Sequence, residues 1–546
     1  MLEENIIQKY RIRFKNNQIP LELAFLQWFV TSLLQIDRAF FYYDSETKYF
    51  FIVKLGYFIC LVFFWKFVLK VYAELKQGND EYIRGRQIFL VYFTISMILL
   101  LIFWPGIWAW DDLYVLQALK TYQSLAPWQH VITGLYQDIL LQILPFPGGI
   151  ILIQNIIISV CVAFSVTKLE RIFHIRKVKY RLIDSILKCI PFLLPPILSY
   201  QYSGYRIGIY IYLELTFIIM SICIYEGEKE WNYRKLLMFC FLSVIVACWR
   251  TESFIYIPFI CILFLFVRKE KLSRKKKFLG IMILILGFIG MTKWQKYELG
   301  NQNYEIVATL RPCVELVRHA DLKKDESELK AINEVLDLEI IYENPEYNGE
   351  QLYWSTGCVR TTNDDPSDDF TEIEYKDYLR AFLKLSIKYP KVVINERGRL
   401  FLQSIGVIGS SVRNTYISAV LFDDSSNKEL IQFQENGWLV NRPVYKTLRK
   451  YILLILGGVN TDGSLRPFQS IIWNAVLPIS VLCFVWLKLL LQRKWYLWLL
   501  CSAIVAKIPI VILTEPSNWV MYFLSFYFLG YILITYGIWM YLSRKE

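Results

Sequence analysis

The sequence predicts an all-α multipass membrane protein of about 12 transmembrane helices, with an extracytoplasmic, mostly helical domain inserted before the last three spans. Three observations carry this. Apolar runs of about 18 residues, enough to cross the hydrocarbon core as a helix, recur along most of the chain. Of the 546 residues, 55% are hydrophobic and 17% aromatic, and mean hydropathy is +0.36. Basic clusters fall between alternate apolar runs, as the positive-inside rule requires of cytoplasmic loops. A cytosolic enzyme and a disordered scaffold are excluded.

Taken in order, the candidate spans cover residues 22–40, 49–71, 87–104, 147–168, 182–200, 205–225, 235–249, 253–267, 278–293, 468–490, 495–513 and 517–541. Glu22, Gln27 and Gln35 interrupt the first, whose alternative is an amphipathic helix lying in the interface. The charged leader MLEENIIQKYRIRFKNN precedes it without a small-residue cleavage site, so a retained cytoplasmic leader is expected. The pair between 235 and 267 is short. Twelve spans put both termini on one side. The clusters Lys9–Lys15, Lys66–Arg86, Lys168–Arg181, Arg268–Lys277, Arg493–Lys494 and Arg544–Lys545 then share one face, the cytoplasm.

Three parts follow: a transmembrane module at 1–293 with its first outer loop at 105–146, an extracytoplasmic domain at 294–467, and a closing transmembrane module at 468–546. Region 294–467 holds 26 acidic and 21 basic residues, net −5, against a net charge of +12 for the chain. The basic excess therefore belongs to loops facing anionic lipid and indicates no nucleic-acid partner. Within this domain 321–337 reads as an exposed helix, 361–370 as a turn-rich loop, and 375–409 as helix on both sides of Pro390, its second half expected on the membrane.

Eleven cysteines and three histidines carry no CxxC or HExxH spacing, so a zinc or iron–sulfur centre is not expected. Nine cysteines lie in apolar runs as small buried hydrophobes. Cys313 and Cys358 lie in the polar segment, where a disulfide stays open. The loop acids Asp364, Asp365, Asp368 and Asp369 lack ordered calcium-loop spacing and read as a solvated turn. His319 reads as a surface histidine.

The chemistry concentrates elsewhere. Pro105-Gly106 ends the third span, and Asp111 and Asp112 follow close to the membrane surface. A short amphipathic helix with Leu113, Leu116 and Leu119 comes next, anchored by Trp104, Trp108, Trp110 and Trp128. One aspartate serves as helix N-cap, and the other is available as a general base toward a hydroxyl. Arg250 and Glu252 stand between two apolar spans, as a turn ion pair or as a phosphate clamp. Arg206, flanked by Tyr202, Tyr205 and Tyr210, is a second cation, with snorkelling as its alternative. Lys507 interrupts the eleventh span and must face a protein interior or a wet cavity, near Glu515, a lipid phosphate or a buried acid such as Glu214.

The motifs PGIWAWDD, ILPFPGGIILIQN, LRPCVELVRHADLKKDESELKAINEVLD, LKLSIKYPKVVI and TEPSNWVMYFLSFYFLG together resemble a bacterial branch of the GT-C superfamily, membrane glycosyltransferases that use polyprenyl-phosphate-linked sugars. The chain departs from that pattern at WQHVI, which lacks a proline after His130, and at Tyr205-Arg206-Ile207, where many relatives have a Lys-Asp pair. The resemblance implies Asp111 as the base, aided by Asp112. It implies donor-phosphate binding by Arg250, Glu252, Arg206 and Lys507, and positioning by Trp110, Trp128 and His130. Its implied partners are a polyprenyl-phosphate-linked sugar, a cell-surface glycan or teichoic-type acceptor, and membrane lipids, in a bacterial cytoplasmic membrane. No cofactor or metal ligand is expected, with a divalent cation left open. The rival readings are a lipid-linked glycan flippase or transporter and an O-antigen-type polymerase or ligase.

Overall fold

The structure, a computed structural model, describes residues 18–30, 32–33, 47–78, 80–108, 112, 115, 129–144, 146–175, 181–227, 231–299, 304–360, 370–408, 443–457 and 468–545. Among them it is all-helical, with only two isolated bridge pairings, Ile107 with Ser203 and Leu336 with Val359. Seven helices are long and apolar enough to cross a membrane: Lys54–Glu74, Asp80–Phe103, Pro147–Ile172, Ile207–Glu226, Arg274–Glu298, Trp495–Thr514 and Leu524–Arg544. An eighth span arises if Leu182–Phe192 and Pro195–Gln201, bent by 80°, count as one. Shorter apolar helices cover Val131–Leu141, Thr251–Phe266 and Val476–Leu491. The chain is thus a multipass helical protein. Its candidate spans at 235–249, 253–267 and 468–490 correspond to helices shorter than a full crossing, and part of the span at 22–40 lies outside the described residues.

Contacts divide the chain into two units. The first takes in Met1–Gly227, Ser418–Leu456 and Ile532–Glu546. Its helices are α1 (Thr47–Lys76), α2 (Asp80–Phe103), α3 (Val131–Ile143), α4 (Pro147–Ile172), α5 (Arg181–Cys189), α6 (Pro195–Gln201), α7 (Ile207–Glu226) and α8 (Lys446–Gly457). Asp80 and Glu81 in the first turn of α2 favour its positive N-terminal dipole, and Pro147 opens α4 where a missing N–H costs nothing. Pro191, Pro195 and Pro196 explain the sharp bend between α5 and α6, since none can donate an interior helix bond. Tyr92, Ser96, Asn155, Gln201, Tyr202 and Tyr212 form one buried hydrogen-bond network, with Gln201 Nε2 donating to Asn155 at 2.7 Å and Tyr212 Oη to Gln201 at 2.6 Å.

The second unit takes in Glu228–Ile417 and Gly457–Tyr531. It combines apolar helices with the polar helices of residues 304–404. The latter begin with α9 (Val307–His319), α10 (Glu326–Asn333), α11 (Leu338–Glu343) and α12 (Gly349–Ser355). They continue with α13 (Glu372–Lys388) and α14 (Pro390–Ser404), divided at Pro390. Capping boxes start α12 (Asn348 with Gln351) and α13 (Thr371 with Glu374), each satisfying two terminal N–H groups. Leu316, Ile332, Leu336, Leu352, Tyr378 and Leu385 pack a core that also takes in Cys313 and Cys358. Both thiols are free cysteines. His319 is exposed. Asp325 is buried, and the loop 361–369 lies outside the described residues.

Candidate functional site

In the first unit the segment after α2 docks on the turn after α6. Gly106 adopts φ +117°, open to glycine and strained for other residues, and Ile107 N–H then donates to Tyr202 O at 2.7 Å. Trp108 is fully buried, its indole N–H on Pro105 O at 3.1 Å. Asp112 is 1% exposed. It packs where a Cβ on residue 204 would stand 2.6 Å from Trp108 and 3.1 Å from the Asp112 Cβ, which is why position 204 is glycine. Gln137 Nε2 donates to Gly204 O at 2.9 Å and fixes the same turn. His130 caps α3, Nδ1 accepting from Ile132 N–H at 3.2 Å. Burial, helped by the Arg206 charge, pushes its pKa down to about 4, so the ring is neutral at physiological pH. Asp112, His130 and Arg206 thereby converge around the 201–206 turn. Asp111, Trp110 and Trp128 lie outside the described residues.

A residue that sequence reasoning missed completes this region. Arg449, on α8, is fully buried and donates to Phe103 O at 3.3 Å and Gly106 O at 2.8 Å. It stands in KTLRKYILLIL beside Lys446 and Lys450, and nothing local distinguishes it from these basic neighbours.

In the second unit three of the predicted phosphate-binding residues meet. A helix over Tyr233–Trp249 ends at Arg250, whose extended backbone (φ −135°, ψ 143°) turns the chain into the short 3-10 segment Thr251–Ile255. This places Arg250 Nε 2.5 Å from Glu252 Oε1, both side chains buried. The guanidinium lies over the Tyr522 ring, 5.7 Å from its centroid. Lys507 opens the helix α15 (Lys507–Thr514) and is fully buried between the rings of Tyr256 at 5.1 Å and Phe526 at 5.3 Å, with Ser525 Oγ at 3.3 Å. Arg250 and Lys507 are the cations whose fields act on the Glu252 carboxylate. Lys507 therefore has Glu252 as its acidic neighbour, while Glu214, on α7 in the other unit, accepts from Tyr210 at 2.9 Å. Buried cations on aromatic faces are held by the ring quadrupole, which cancels none of their charge.

Below this group the polar helices join the apolar ones. Arg397 of α14 donates through Nη1 to the Glu515 backbone O at 2.6 Å and through Nη2 to Ala308 O. Arg311 of α9 binds Glu396 at 2.8 Å, with Glu350 at 3.8 Å. Neither arginine was singled out from the sequence, because each sits in an ordinary amphipathic helix. Among the described residues no group of three or more His, Cys, Asp or Glu side chains is placed to hold a metal ion. No protein-family model, curated protein or solved structure matches the chain.

Proposed function

We propose that the chain is an integral-membrane, GT-C-like glycosyltransferase that moves a sugar from a polyprenyl-phosphate carrier to a hydroxyl of a cell-surface glycan or teichoic-type acceptor. One observation supports this most: Arg250, Glu252 and Lys507, chosen from the sequence as a phosphate-binding set, form one buried cluster although the first and last are 257 positions apart. A forked guanidinium and a buried ammonium suit a phosphate oxygen set. In the proposed reaction Asp111, aided by Asp112, takes the acceptor proton. The acceptor oxygen bonds to the sugar carbon as the carbon–oxygen bond to the carrier breaks. The electron pair leaves on the lipid phosphate, whose charge Arg250 and Lys507 offset while Glu252 orients Arg250. Arg206 stays a candidate second cation, and His130, neutral, a positioning group. Twelve spans, cytoplasmic termini and an outer location of 294–467 belong to this reading.

The test is transfer by purified protein in lipid, with a panel of polyprenyl-phosphate sugars and envelope acceptors. Asp111→Asn is expected to cut turnover by about 10²–10⁴-fold, the usual worth of a positioned base, with donor binding nearly unchanged. Wild-type turnover in that variant would remove the assignment. Labelling of a single cysteine at the exposed position 324 only from the cytoplasmic side would remove the whole scheme, since donor, base and polar domain would no longer share a face.

The 80° bend between Leu182–Phe192 and Pro195–Gln201 favours a second reading, a transporter of lipid-linked glycans, because broken helices build substrate sites at membrane depth. Movement of the lipid-linked sugar across a vesicle membrane without transfer would select it.

A further inference from the structure

We propose that Glu515 is the proton-binding group of the Arg250–Glu252–Lys507 site, so that holding a singly charged phosphate there is coupled to protonation of this carboxyl. The proposal rests on the phosphate reading above and adds a regulation to it.

Glu515 follows the last residue of α15 and is 1% exposed. Neither carboxyl oxygen has a hydrogen-bond partner among the described residues. The Ser404 hydroxyl, also buried, faces it, and of the groups that favour its ionised form it acts most strongly. Arg397 spends its donors on backbone oxygens, including that of Glu515 itself, and Arg311 is engaged by Glu396 and Glu350. A buried carboxylate stripped of water and hydrogen bonds is costly, whereas the protonated acid is far cheaper to bury. The groups facing it are Arg397 and Ser404 from α14, Arg311 from α9, and Tyr522 from the segment before the last helix. Burial dominates and lifts the carboxyl from 4.5 to about 8, against the Ser404 hydroxyl and then the two guanidinium charges, which pull toward ionisation.

The link to the phosphate site is structural. Lys507 and Glu515 stand at the two ends of α15, about 12 Å apart at 1.5 Å per residue. Tyr522 carries Arg250 on its face and lies within the fields of Arg250, Glu350 and Glu515. Below about pH 8 the acid is neutral and leaves the cations' field intact. Above it, the new negative charge opposes a bound anion. At about 12 Å and an effective dielectric of about 20, the repulsion weakens binding about tenfold.

The experiment uses the full chain in lipid nanodiscs and a farnesyl phosphodiester, which keeps one negative charge across the range studied. Wild-type affinity is expected to fall about tenfold between about pH 7 and pH 9.5, with proton uptake on binding at pH 8. Glu515→Gln, isosteric and unable to ionise, is expected to bind equally well at both pH values. A protonated-carboxyl infrared band that titrates near pH 8 in the wild type should be absent from the variant. The same pH slope in both proteins, with Arg250→Lys still weakening binding, overturns the coupling and leaves the phosphate site standing. No binding of the diester to either protein at any pH overturns both.

Discussion

Two buried charge clusters, one in each unit, are built on opposite terms. In the first unit Arg84 Nη2 bonds Glu170 and Asp184, each at 2.6 Å, and Lys188 bonds the same two carboxylates at 2.9 and 2.7 Å. Arg84 Nη1 adds Ser185 at 2.9 Å. Two cations thus meet two anions, every pair in contact, across α2, α4 and α5. In the second unit Arg250 pairs with Glu252, whose carboxylate also lies in the field of Lys507, and both cations lie on ring faces, Lys507 with Ser525 Oγ at 3.3 Å. The first cluster is a bolt whose charges cancel where they stand. The second sets its cations against aromatic faces as well as a carboxylate, the arrangement from which the phosphate site is proposed. Burial of charge by itself therefore distinguishes nothing; the partners do. The same holds for the carboxyls: Asp184 makes ion pairs with two cations at 2.6 and 2.7 Å, whereas Glu515 is buried with Arg397 and Arg311 acting on it only through their fields.

The comparison breaks most easily at the bolt. Arg84→Ala is expected to destabilise the protein by about 3–5 kcal/mol, because it strands two carboxylates in the apolar interior with one lysine. Thermal unfolding in detergent and membrane yield would register it. A variant with wild-type stability would mean that water already reaches the cluster.

A smaller effect, of a different kind, is expected in the second cluster. Arg250→Lys keeps the charge and loses the fork, so affinity for a lipid phosphate should drop about 10–100-fold while the melting temperature hardly moves. The opposite result, lost stability with intact affinity, would make Arg250 a turn residue and the two clusters alike.

The smallest effect sharpens the contrast from outside the apolar helices. Burial of Asp325 would raise its pKa, but hydrogen bonds from Lys388, the Tyr389 hydroxyl and the Asp321 backbone N–H hold it below the ordinary 3.8. A depressed carboxyl stabilises the fold above its unfolded pKa and loses that stability as pH falls through the folded value. Asp325→Asn is therefore expected to lower the melting temperature by a few degrees at about pH 7, and the gap should close below about pH 3. An equal gap at both pH values would show that packing, not charge, ties α10 to α13.

What the sequence by itself determined was the helical, membrane-crossing class. An apolar run of the right length is a local property, and Asp80–Phe103, Pro147–Ile172 and Ile207–Glu226 lie where their composition put them. The breaks at Pro105-Gly106 and Pro390 are equally local, whereas the candidate span 182–200 is divided in the structure by an 80° bend before Pro195. It also marked Arg250, Glu252 and Lys507, since a charge within an apolar run stands out against its neighbours. Only the tertiary structure decided which charges meet. Arg84 looked like one member of a loop cluster until α4 and α5 supplied Glu170 and Asp184. Arg449 and Arg397 sit among similar basic residues, and burial against distant backbone oxygens set them apart. Glu515 stands in the sequence as one possible partner of Lys507, and the fold instead buries it beside Arg311 of α9 and Ser404 and Arg397 of α14. Hydropathy is summed along the chain, whereas the cost of a buried charge depends on partners hundreds of residues away, and the fold alone assigns them.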